Sequence, residues 1–69
     1  MTTLADEIRY TMTDGRDERH HVRVQRFVGG HVVRVDGVLL HNGRLYGTHD
    51  MALGALKEAW GKDIRLKSV

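Results

Sequence analysis

The 69-residue sequence contains no cysteine and no proline. The first absence excludes disulfides and thiolate metal sites, and it suits a reducing compartment. The second leaves no proline-rich linker, and neither an internal repeat nor a low-complexity tract divides the chain. No apolar run approaches the length of a membrane span, and the start of the sequence lacks the basic and apolar regions of a secretory leader. The expectation is a cytoplasmic protein with no membrane partner. At this length there is room for one small domain, which buries only about 60% of the surface its unfolded chain exposes.

What is present is a run of turn signals. Gly29-Gly30, Asp36-Gly37 and Asn42-Gly43 each separate stretches rich in Val and Leu. Such dipeptides accept the positive φ angles of tight hairpin turns. A two-residue turn also dictates which residues lie opposite one another and so share a face. The first turn then pairs Val24 with Val35, the second Val35 with Val38, and the third Leu40 with Leu45. One face collects Val22, Val24, Val28, Val33, Val35, Val38, Leu40 and Leu45, interrupted by Arg26. Three turns that agree predict a four-stranded antiparallel meander.

The flanking segments are read from their periodicity. Residues 2–13 fit two patterns. As a helix, Thr3 caps and Leu4, Ala5, Ile8 and Met12 form a stripe. As a strand, Ile8, Tyr10 and Met12 alternate with Arg9, Thr11 and Thr13. A two-residue turn at Asp14-Gly15 would send the wrong set to the apolar face, so the strand requires an odd-numbered loop or a bulge. The helix is preferred on that ground, with 14–20 as a polar loop. Over 49–60 a helix is predicted with Thr48 or Asp50 as cap and Gly61 as stop. Ala52, Leu53, Ala55, Leu56, Ala59 and Trp60 share one arc. Ile64 and Leu66 alternate with Arg65 and Lys67 in a short last strand. The expected fold class is α+β: an antiparallel meander of four strands plus a short C-terminal strand. One face is covered by the helix at 49–60 and by an N-terminal helix.

Several chemistries are weighed and set aside. The five histidines have no ligand-pair spacing, so neither a metal site nor a cofactor is expected. His49-Asp50 reads as the first turn of a helix rather than a dyad, and no nucleophile–base set can be assembled. The glycines are explained by turns and a helix stop, not by a phosphate loop. A catalyst is not expected.

The other face of the meander remains. It would carry Arg23, Gln25, Phe27, Arg34, Leu39, His41, Arg44 and Tyr46, together with His21 and Val32, and no carboxylate. Arginine pairs phosphates and carboxylates bidentately, and aromatics supply stacking area. Lys and Arg number 11 against 9 Asp and Glu. Most of the acids lie between 6 and 18, which permits a polyanionic partner without requiring one. The expected function is a non-catalytic interaction module, a small accessory regulator or inhibitor of the phage or plasmid type. It would act on a protein partner or a nucleic-acid-handling complex through this face, or on a second copy of the chain. The alternative is direct binding of DNA or RNA by the same platform.

Overall fold

The computed structural model describes residues 7–69. Five antiparallel strands form one sheet: β1 (Glu7–Thr13), β2 (Arg19–Phe27), β3 (Gly30–Val35), β4 (Val38–Leu39) and β5 (Arg65–Ser68). Their spatial order is β4-β3-β2-β1-β5. The single helix among the described residues, α1 (His49–Trp60), joins β4 to β5 across one face. The α+β architecture expected from the sequence is present; residues 7–13 add a strand, and the fourth strand expected of the meander is missing.

That difference corrects the reading of 2–13. Residues 7–13 are a strand, and the rest of the expected helix lies outside the described residues. The loop between β1 and β2 has five residues, since Thr13 pairs with Arg19. An odd loop is the condition under which Tyr10 and Met12 reach the apolar face, and Met12 is wholly buried. Asp14 builds the loop. Its carboxylate accepts from the backbone of Arg16 at 2.8 Å and of Glu18 at 3.0 Å, and its own N–H donates to the Glu18 carbonyl. Asp17 takes the left-handed conformation, φ 64°, which Asp tolerates better than most residues.

The first hairpin turns one residue earlier than expected. Phe27 pairs with Gly30, so Val28 and Gly29 form the turn and Val22, not Val24, faces Val35. The register moves by two, which leaves every residue on its expected face. Gly30 is needed for another reason. A Cβ there would stand 2.7 Å from the Tyr46 carbonyl oxygen, which Gly30 admits close to β3.

The third hairpin is absent. Leu40–Gly43 form a 3₁₀ turn in which His41 and Asn42 adopt positive φ, so the dipeptide bends the chain without reversing it. Tyr46 then rejoins the same edge of β3 opposite His31, four residues later than an unbroken β4 would place a partner there. An even excursion preserves the parity of Val38, and Tyr46 turns inward to become 7% exposed. Its hydroxyl is hydrogen-bonded to His41 Nδ1 at 2.6 Å.

The core comprises Met12, Val22, Val24, Val33, Val35 and Tyr46 from the sheet side, with Ala52, Ala55 and Leu56 of α1 and Ile64 before β5. Small alanines let α1 approach the sheet closely. Thr48 caps the helix by accepting from Met51 N at 3.1 Å, and Gly61 ends it at φ 104°. One helix does not cover the whole apolar face. Val28, Val38 and Leu45, expected inside, are exposed, Val28 fully and Val38 to 70%. Ala59 and Trp60, expected on the buried arc of α1, are also exposed.

Two glycine variants separate these roles. Gly54 lies within α1 with open space around a would-be Cβ, so Gly54→Ala should stabilise by roughly 0.5–1 kcal/mol. Gly30→Ala should destabilise instead, because its Cβ meets backbone. Thermal unfolding of both checks this; the reverse order would show that Tyr46 does not approach β3 as described.

Candidate partner-binding face

Side chains alternate across the sheet, so the register defines the outer face, opposite α1. Arg9 lies opposite Arg23, and Arg23 opposite Arg34. Three guanidinium groups thus stand in one row over β1, β2 and β3, with Leu39 beyond Arg34. The next row is His21, Thr11 and Lys67, and the next Arg19, Thr13 and Arg65. A fourth row, on the other side of the arginines, is Val32, Gln25 and Glu7.

Hydrogen bonds order part of this surface. Glu7 accepts from Arg9 Nε at 2.7 Å and from Gln25 Nε2 at 3.1 Å. Arg34 Nε donates to Gln25 Oε1 at 3.0 Å. The Arg9 bond, reinforced by Gln25 and the charge of Arg23, holds the Glu7 carboxyl below its ordinary range. The side chain of Arg23, between the bonded arginines, makes no hydrogen bond or ion pair among the described residues. Arg65 pairs with Asp17 at 3.2 Å, both side chains well exposed.

The residues proposed from the sequence divide into two groups. Arg23, Gln25, Phe27, Arg34 and Leu39 share the outer face. His41, Arg44 and Tyr46 do not: with Met51, Gly54 and Glu58 they line a shallow groove on the helix side. The Arg44 guanidinium sits 5.9 Å from the centre of the Tyr46 ring. The reason is the missing hairpin, which would have sent Tyr46 outward. Val32 is buried although it stands on the outer face. Glu7 corrects the expectation of a face without carboxylates. Arg9, Arg19, Arg65 and Lys67 enlarge the face beyond what the sequence reading assembled. The alternation of Arg9, Thr11 and Thr13 signalled the β1 contribution, but only for a reader who granted the five-residue loop.

Apart from His21, the histidines occupy the other side and the rim. His49 Nε2 is hydrogen-bonded to the Tyr10 hydroxyl at 2.7 Å, and the His31 ring meets His49 edge-on. His20 lies between two carboxylates, Nδ1 at 2.7 Å from Asp36 and Nε2 at 2.8 Å from Asp14, with its ring against Trp60. Asp14, Glu18 and His20 bring ligand-type atoms within 4.8 Å of one another. Both imidazole nitrogens already face carboxylates, which is the arrangement of a protonated ring. The bonds to Asp36 and Asp14 raise the His20 pKa above 6.5, and the His20 bond lowers both Asp14 and Asp36.

No protein-family model, curated protein or solved structure matches this chain.

The His20 contacts carry a pH signature. A raised histidine stabilises the fold fully below its unfolded value and loses that contribution as pH rises through the folded value. The lowered Asp14 and Asp36 contribute above the usual carboxylate range and lose it as pH falls through their folded values. The melting temperature should therefore be highest in mild acid and fall as the pH is raised through and above neutrality. His20→Gln should flatten that alkaline limb. A variant with the wild-type slope would show that His20 is not protonated between its two carboxylates.

Proposed function

We propose that this protein is a non-catalytic interaction module, a small accessory regulator or inhibitor, whose outer sheet face covers a surface on another macromolecule. The observation that carries the reading is the row Arg9, Arg23 and Arg34. Like charges directly opposite each other in a sheet cost roughly 0.2–1 kcal/mol per pair. Only Glu7 among the four rows offsets them. A face selected for folding alone gains nothing from three arginines in register, whereas a face that meets an acidic partner recovers the cost on binding. The chemistry of the outer face is recognition: cations, two threonines and a glutamine on a flat support. No helix among the described residues is long and apolar enough to cross a membrane, and nothing in this reading requires a bilayer.

Arg34 and Lys57 test the reading from opposite sides of the molecule. Arg34→Glu should abolish capture of the partner from a native cell extract while changing stability by no more than about 0.5 kcal/mol. Lys57→Glu, on the exposed side of α1, should alter neither. Normal capture by Arg34→Glu with loss in Lys57→Glu would transfer the function to the helical side.

A further inference from the structure

We infer that the occupant of the outer face is a nucleic acid, held by its phosphate backbone in a trough that runs along β1. The inference rests on the outer face being the working surface, and it names the chemistry of the partner. The trough follows from the register. Thr11 and Thr13 form its floor; Arg19 on β2 and Arg65 and Lys67 on β5 form its walls. These five residues line a single open groove with Leu66, Ser68 and Val69 and with Asp17, whose carboxylate pairs with Arg65 at 3.2 Å. The row Arg9, Arg23 and Arg34 continues the cationic surface beyond it.

Three features favour phosphate over an acidic protein surface. The first is repetition. Neighbouring strands lie about 4.8 Å apart and alternate residues about 7 Å apart along a strand. Six Arg and Lys side chains, at 9, 19, 23, 34, 65 and 67, therefore cover a patch of roughly 14 Å by 14 Å, with Arg9 and Arg65 already paired to Glu7 and Asp17. A nucleic acid presents a dense, regular array of charge, about one per 1.7 Å of duplex axis, which such a patch can meet at several points. The second is donor type. Five of the six are arginines, whose forked donors match phosphate as well as carboxylate oxygens, and the threonine hydroxyls beside them are of the type that commonly donates to nucleic-acid phosphates. The third is the scarcity of apolar anchors. Protein interfaces centre on buried aromatic and aliphatic side chains. Here Tyr46 is turned into the core and Val32 is covered; Phe27 and Leu39 are exposed away from the trough, and Val69 alone is an exposed apolar side chain at its margin. Contacts made to the phosphate backbone position the chain without reading its bases, so binding through this trough is sequence-independent.

The test is fluorescence anisotropy of the full chain with labelled oligonucleotides of about 20 residues, single-stranded and duplex, between about 50 and 200 mM salt. Binding to at least one form should weaken with salt, with a log–log slope of about −0.7 to −0.9 for each phosphate contacted. Oligonucleotides of unrelated sequence should compete equally. The double variant Arg19→Glu/Arg65→Glu should lose about tenfold or more in affinity, and Lys57→Glu less than twofold. Circular dichroism melts confirm that each variant is folded; if the double variant is not, Arg19→Gln and Lys67→Gln singly should each reduce the salt slope. The two arms decide which form is the ligand. Absence of binding to either form at the lowest salt overturns the inference. If Arg34→Glu nevertheless abolishes extract capture, the outer-face reading stands and the partner is an acidic protein. Oligonucleotide binding that survives the trough variants but fails in Lys57→Glu overturns both.

Discussion

Side-chain parity is the constraint on which the rest of this molecule depends. In a sheet, one residue more or fewer in a connection exchanges the two faces of everything beyond it. The loop from Asp14 to Glu18 settles the matter for β1. Its five residues, held by the Asp14 carboxylate and by the left-handed Asp17, send Met12 into the core and Arg9, Thr11 and Thr13 outward. β5 inherits its side from β1 through the Met12–Leu66 pair, so Arg65 and Lys67 fall outward as well. Asp14 also receives one nitrogen of His20, while Asp36, in the turn after β3, receives the other. A single histidine thus ties the loop that sets the parity of β1 to the turn that sets the parity of β4.

Much of this could be read from the chain because local signals agreed with the alternation. Val22, Val24, Val33 and Val35 alternate between glycine-containing turns, and all four are buried. The helix had a capping threonine, an alanine-rich arc and a terminal glycine, and its limits coincide with those expected. A two-residue error in the first hairpin did no damage, since it conserved parity. Residues 7–13 were less legible. Ile8 and Met12 are four apart and satisfy a helical period as well as an alternating one, and only the length of a polar loop distinguishes the two. The Asn42-Gly43 signal failed for another reason. Positive φ is necessary for a tight hairpin but does not enforce one. Here the alternative buries the larger Tyr46, satisfies its hydroxyl with His41, and leaves Leu45 half exposed.

These two departures move the candidate site in one direction. The added β1 brings Arg9 to the outer face and seats the expected β5, with Arg65 and Lys67, beside it, and the missing hairpin removes Tyr46, Arg44 and His41. The surface becomes more cationic and less aromatic than the sequence suggested. It loses resemblance to a protein-binding patch with aromatic anchors and gains resemblance to a support for a phosphate chain. The groove on the helix side, with Arg44 over Tyr46, is a consequence of the same excursion.

Parity of β1 can be measured directly because the chain has no cysteine of its own. Single cysteines placed in turn at positions 9 to 13 can be labelled with a thiol reagent under native conditions, and the rates compared with those in denaturant. An alternating sheet with α1 on one side requires fast labelling at 9, 11 and 13 and slow labelling at 10 and 12. Protection repeating every three to four residues, or fast labelling at 12 with slow labelling at 11, would contradict it and dissolve the outer face.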